Sequence, residues 1–234
     1  MKGVALVTGA RRGIGRYLSQ HLLEQGYKVV GCARNPCEWE AEGFTYRETD
    51  VTDEGQVTAL IRFIRKEFGR LDVLLNNAGV ASMNHTLLMP LKTAQTIVNV
   101  NLLGPFVVSR EAAKLMLKRK RGHIVNFGSS AVSLRLAGEA MYIASKCGLV
   151  ALTHTMAREL ADFGITVNLV GPSPTDTDMM RGVPSQKIEQ FVEALPIKRL
   201  TTFEDIANVV DFFLAEASDA ITGQVIYLNG MPNL

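Results

Sequence analysis

Short apolar runs alternate with segments of helical period along the whole chain. Val4-Ala5-Leu6-Val7 is the first such run, and it stops at Thr8-Gly9. From Gly13 to Gly26, Ile14, Leu18, Leu22 and Leu23 share one helix face. Further strand-like runs span Lys28 to Ala33, Phe44 to Thr49, Val73 to Leu75, Ile124 to Phe127, Ile165 to Val170 and Val225 to Leu228. Asp53 to Phe68 again has helical spacing, through Val57, Leu60, Ile61 and Ile64. Asp53 is the expected cap of that helix and Gly69 its stop. The runs are continuously apolar rather than alternating, which predicts strands covered on both faces. Strand and helix in turn predict an α/β fold: one doubly wound parallel sheet of about seven strands, helices on both faces. A ligand then binds beyond the carboxyl ends of the strands. No repeat or linker interrupts the pattern, so residues 1–234 are expected to form one domain. Gly171 to Lys187, rich in Pro, Ser, Thr and Asp, reads either as a mobile lid over 171–195 or as a long surface loop.

Composition narrows the class. Hydrophobic residues make up 47% and charged residues 21%, as in a soluble globular protein. A net charge of +2 points to neither a nucleic-acid nor a membrane partner. Cys32, Cys37 and Cys147 have no metal-ligand spacing and read as reduced thiols of a cytosolic protein. The four histidines are scattered, so no metal site is expected. Met1-Lys2-Gly3 runs straight into a strand and leaves no room for a signal peptide; the expected location is the cytoplasm.

Gly9, Gly13 and Gly15 join the first strand to the first helix, in Thr8-Gly9-Ala10-Arg11-Arg12-Gly13-Ile14-Gly15. Glycine removes the Cβ that would keep a pyrophosphate from the backbone, and a helix N-terminus offers N–H groups and a favourable dipole. An acid about 20 residues past such a fingerprint would bond the ribose hydroxyls of NAD. Here Ala33 stands at that place and Arg34 follows, while Arg12 lies in the fingerprint. Two guanidinium groups without a carboxylate suit a 2′-phosphate, hence NADP(H) over NAD(H). The alternative is a pair of solvated surface charges. Asp50-Val51 can hold an adenine, or Asp50 simply starts a turn. Asn76-Asn77-Ala78-Gly79 ends the fourth strand with residues small enough for the cofactor to pass close to the backbone.

Tyr142 and Lys146 are four residues apart, on one helix face. A tyrosine titrates near pH 10, and a nearby ammonium favours its phenolate. Tyr142 can then give a proton to a carbonyl oxygen as hydride arrives, and take it back in reverse. Ser129 can hydrogen-bond the same oxygen. Pro105 lacks the N–H that would bond the carbonyl of Asn101. That carbonyl can hold a water that links Lys146 to solvent, or Pro105 merely kinks the helix.

These residues resemble the short-chain dehydrogenase/reductase family over essentially the whole chain. The resemblance rests on TGARRGIG, NNAG at Asn76 to Gly79, VNLLG around Asn101, Ser129, YIASK at Tyr142 to Lys146, and Val167-Asn168 before Pro172. It implies a Rossmann-type fold and a catalytic tetrad of Ser129, Tyr142, Lys146 and Asn101. It implies cofactor contacts from the loop at Pro172, through Thr175 and Thr177, and from Lys146 to the nicotinamide ribose. It also implies a homotetramer or homodimer. Within the family the tail LPIKRL and Ile221-Thr222-Gly223-Gln224 look most like 3-oxoacyl-(acyl carrier protein) reductases. Ser173 after Pro172, Pro174, Asn229 and Phe203 depart from that pattern. The expected reaction is NADPH-dependent reduction of a ketone or 3-oxoacyl thioester. Alternatives are oxidation of a sugar or polyol alcohol, and a cofactor-binding regulator without turnover. The basic run Lys118-Arg119-Lys120-Arg121 can receive an acidic acyl carrier protein, or is a solvated helix end.

Overall fold

The computed structural model describes residues 2–135, 137–175 and 185–230. Its strands are β1 (Gly3–Thr8), β2 (Tyr27–Ala33), β3 (Phe44–Glu48), β4 (Val73–Asn76), β5 (Gly122–Phe127), β6 (Ile165–Gly171) and β7 (Val225–Tyr227). They form one parallel sheet in the order β3-β2-β1-β4-β5-β6-β7. Each expected run is a strand. β5 begins two residues earlier than its apolar run because Gly122 and His123 find partners in Ile165 and Thr166.

Adjacent residues of β1 serve opposite faces, as the period of a strand requires. Val4 and Leu6 join one core with α2 (Glu54–Phe68), α4 (Gly104–Met116) and α6 (Ala140–Leu160). Ala5 and Val7 join a second core with α1 (Gly13–Glu24) and α8 (Phe203–Leu214). Both faces are therefore dry, which explains the continuous apolar runs. Asp53 caps α2 by accepting from the N–H of Gln56 at 3.0 Å, and Gly69 ends it in the left-handed region at φ 69°. The remaining α-helices among the described residues are α3 (Leu91–Val98), the short α5 (Ala131–Leu134) and α7 (Ser185–Ala194).

Two features place the site. The chain builds outward from β1 through β2 to β3, then crosses back to put β4 on the other side of β1. The crevice of a doubly wound sheet opens at that reversal, past Thr8 and Asn76. Between α3 and α4 lies a π-helical turn, Asn99–Leu103, in which the N–H of Gly104 bonds the carbonyl of Asn99. Pro105 has no N–H for Asn101, so the regular ladder cannot pass through, and the wider turn absorbs the mismatch. Asn101 is thereby held at the centre of the turn and fully buried.

Candidate active site

A cavity of about 570 Å³ occupies the crevice at the carboxyl ends of the strands. At one end Gly9 is at φ 70°, where a side chain would be strained. Gly15 lets α1 start against the strand, because a Cβ there would lie 2.3 Å from the carbonyl oxygen of Gly9. Asn77 fastens this corner from β4, donating to the Thr8 carbonyl at 2.9 Å, and the Ala78 N–H donates to the Thr8 hydroxyl at 3.0 Å. The first turn of α1 has neither an acidic residue nor a side-chain cap. By contrast α2 is capped by Asp53 and α8 by a reciprocal Thr202–Asp205 box. The helix that opens on the cavity thus keeps an N-terminus suited to an anion. A dinucleotide pyrophosphate fits this cradle.

Arg11, Arg12 and Arg34 line the same end. Arg11 turns toward the loop after β2, donating to the Pro36 carbonyl at 2.8 Å and pairing with Glu38 at 3.1 Å. Arg12 and Arg34 are exposed at the rim. Trp39 buttresses that loop, a role its sequence neighbourhood does not signal. Its indole N–H donates to the Ala10 carbonyl at 3.2 Å, and its ring stacks on Phe44 with centroids 3.9 Å apart.

Asp50 and Val51 do not reach the cavity wall. Asp50 accepts from the N–H and hydroxyl of Thr52 at 2.9 and 2.8 Å, so its carboxylate shapes the turn before α2. Val51 is buried in the core, where it would sit 2.9 Å from any Cβ on Gly104. Gly15 also lies behind the wall, as packing rather than lining.

The other end holds Ser129, Tyr142 and Lys146. Ser129 follows β5, and α6 presents Tyr142 and Lys146 one turn apart. The Lys146 ammonium donates to the Phe127 carbonyl at 2.6 Å and lies 5.9 Å from the centroid of the Tyr142 ring. Burial lowers the Lys146 pKa to about 8. Burial also raises the pKa of the Tyr142 phenol, contact with Ser129 pulls it down, and the charge of Glu139 raises it. Burial thus governs the phenol here, against the lowering by its hydrogen bond with Ser129.

Asn101 is behind this group rather than in it. Its amide accepts from the Val80 N–H at 2.9 Å, donates to the Val80 carbonyl at 2.9 Å and to the Ser145 hydroxyl at 3.1 Å. Ser145, which sequence reasoning missed, donates on to the Tyr142 carbonyl at 2.6 Å. A Cβ on Gly79 would lie 3.4 Å from the side-chain amide oxygen of Asn101 and 3.7 Å from the Lys146 ammonium. Asn101, Gly79 and Lys146 are thus in one packed column.

Pro172 and Thr175 line the cavity beyond β6. Thr175 donates to the Ser173 carbonyl at 2.9 Å, while the Ser173 hydroxyl bonds that of Thr201. Thr177 and the rest of residues 176–184 of the expected lid lie outside the described residues. The basic run at Lys118–Arg121 precedes β5, whereas Phe127 and Ser129 at its far end line the cavity. A six-residue strand separates the two by about 20 Å. Arg121 is also engaged with Asp219 at 3.5 Å.

A family model described as enoyl-(acyl carrier protein) reductase matches residues 9–230. The 3-oxoacyl-(acyl-carrier-protein) reductase FabG of Salmonella typhimurium is 35% identical over 235 residues, 97% of this chain and 96% of that protein. The chain belongs to the short-chain dehydrogenase/reductase family. Its members include the FabG of Staphylococcus aureus, 36% identical over 97% of this chain and 96% of that one. Among solved structures, ligand-free aldohexose dehydrogenase from Thermoplasma acidophilum superposes with a TM-score of 0.90 at 30% identity, covering 97% and 92% of the two chains. A variant of actinorhodin polyketide ketoreductase with NADPH gives 0.87 at 30% identity, covering 97% and 95%. The chain is accordingly an oxidoreductase of the family, with its seven-stranded Rossmann-like fold. No helix among the described residues is long and apolar enough to cross a membrane.

Proposed function

We propose that this oxidoreductase uses NADPH to reduce a ketone or 3-oxoacyl thioester to the secondary alcohol. The observation that carries the reading is the polarity of one cavity: guanidinium groups and no acid line the fingerprint end, and Ser129, Tyr142 and Lys146 line the other. Arg12 and Arg34 bind the 2′-phosphate, and the open N-terminus of α1 binds the pyrophosphate. Asn77, Ala78 and Gly79 flank the cofactor, and Lys146, Pro172, Thr175 and Thr177 hold its nicotinamide half. Asp50 and Val51 meet the adenine through the backbone of their turn.

When bound, the reduced cofactor supplies a hydride to the carbonyl carbon. Ser129 orients the carbonyl oxygen by donating a hydrogen bond. Tyr142 transfers its phenolic proton to that oxygen as the C–O bond becomes single. Its raised pKa keeps the phenol protonated, which suits an acid more than a base. Lys146 returns a proton toward Tyr142, and Asn101 keeps the column behind it in place. The chain acts as one domain in the cytoplasm and assembles as a homotetramer or homodimer. An acyl carrier protein that delivers a thioester must approach from the cavity mouth, since the Lys118–Arg121 run is a strand length away.

The similarity to an aldohexose dehydrogenase favours a second reading, oxidation of a sugar or other secondary alcohol. NADPH oxidation with an acetoacetyl thioester, repeated with NADH, separates the two. Turnover with NADPH well above that with NADH supports the reductase. Absence of thioester turnover alongside NADP-linked oxidation of an aldose supports the second.

A further inference from the structure

A second hollow, of about 220 Å³, lies between α2 and α4. No residue of either helix lines the larger cavity. Buried Ile61 and Leu115 give the hollow an apolar floor. Around them stand exposed Arg62 and Arg65, one turn apart on α2, and exposed Lys114 and Lys118, one turn apart at the end of α4 and just past it. Glu111 is the one acid in this lining, and its carboxylate already accepts from Arg110 at 2.9 Å and Lys114 at 2.7 Å. Four cations against one acid leave a charge of +3 here, above the +2 of the whole chain. Among the described residues Arg62, Arg65 and Lys118 have no acid partner.

Helix stability does not call for this arrangement. Like charges three or four positions apart on a helix repel and destabilise it. Cations in a last turn offset the helix dipole, which suits Arg65 and Lys114, but Arg62 stands in the turn before. An anion seated between the two pairs relieves the repulsion in both.

We propose that this hollow is a second binding site, for a small anion carrying two phosphate groups. Arg62, Arg65 and Lys118 bind it, since Lys114 is engaged with Glu111. Guanidinium groups match phosphate oxygens in fork geometry, and Lys118 adds a point charge. Two linked phosphates reach both helices at once. The hollow is smaller than the roughly 300 Å³ at which sites for whole cofactors begin, so it takes a diphosphate and not a second dinucleotide. The site does not depend on the reductase reading, because it shares no residue with the larger cavity.

The test is calorimetric titration of the full-length protein with inorganic pyrophosphate at constant ionic strength, in the presence of NADPH so that the fingerprint cradle is occupied. Wild type is compared with the double variant Arg62→Gln, Arg65→Gln and with Lys118→Gln. A control double variant, Lys92→Gln, Arg158→Gln, removes two exposed cations that do not line the hollow. Pyrophosphate should bind saturably to wild type. The Arg62, Arg65 variant should weaken it at least about tenfold, the scale of one charge-assisted contact, and Lys118→Gln should weaken it in the same direction. The control should bind as wild type does. Wild-type affinity in the Arg62, Arg65 variant overturns the proposal. So does an equal loss in the control, which would mean general surface charge, and so does the absence of saturable binding to wild type.

Discussion

The side-chain amide of Asn101 satisfies both backbone groups of Val80, accepting from its N–H and donating to its carbonyl, each at 2.9 Å. This reciprocal pair joins the π-helical turn to the segment that leaves β4 past Gly79. It makes Asn101 a positioning residue for the wall of the cavity, whatever water its own carbonyl holds. Replacing Asn101 by Ala leaves both Val80 groups without that partner, at a cost of about 3 kcal/mol. Urea unfolding measures this. A loss under about 1 kcal/mol would mean that the Val80 groups find other partners.

Tyr142→Phe removes the proton and keeps the ring. The proposed acid catalysis then predicts a fall in kcat of at least about a hundredfold, with NADPH affinity changed less than about threefold. Single-turnover kinetics and cofactor fluorescence give the two numbers. Retained turnover would remove Tyr142 from the mechanism.

Much of this was legible in the chain, for physical reasons that stop at identifiable places. Strands dry on both faces leave an unbroken apolar run, so β1, β5 and β6 show plainly, whereas the edge strand β3, with exposed Arg47 and Glu48, shows less. The fingerprint and the Tyr142–Lys146 pair are local, and local spacing survives in sequence. The Asn101–Val80 pair joins positions 21 residues apart with no period between them. Trp39 reaching back to Ala10 is likewise a tertiary contact, invisible in composition. Asp50 shows the converse: the sequence left a turn and an adenine contact both open, and the hydrogen bonds of its carboxylate to Thr52 are the turn.

Arg12 and Arg34 give the cofactor preference a sharp test. If both meet a 2′-phosphate, the double change to Ala weakens NADPH by about a hundredfold, the scale of two charge-assisted contacts, and NADH by little. Titration with each cofactor measures the ratio of dissociation constants. Equal weakening of NADPH and NADH would reduce the arginines to general surface charge.

Ser173 departs from the glycine of the family pattern, and its hydroxyl bonds that of Thr201 while the Thr201 N–H donates to the Pro174 carbonyl at 2.9 Å. The segment after β6 is thus pinned at its base to the residues before α8. Ser173→Gly removes the hydroxyl pair and loosens the unfolded chain, together costing about 1–2 kcal/mol. Thermal unfolding should register a lower Tm. An unchanged Tm would mean that the backbone bond alone holds the segment.

Lys146 makes stability depend on pH in a stated direction. Its side chain is buried, and burial lowers its pKa from 10.5 to about 8. Between those values the unfolded chain holds more protons at this site than the folded one, so stability rises with pH across that window. Below about pH 8 the full cost of the buried ammonium is present, about 3 kcal/mol for such a shift. Lys146→Met removes the titration and keeps an unbranched side chain. From pH 7.5 to 9.5 the wild type should therefore gain about 2 kcal/mol of unfolding free energy relative to Lys146→Met. Urea unfolding at the two pH values measures the difference. Parallel behaviour of the two proteins would mean that the folded site holds its proton as tightly as the unfolded chain does.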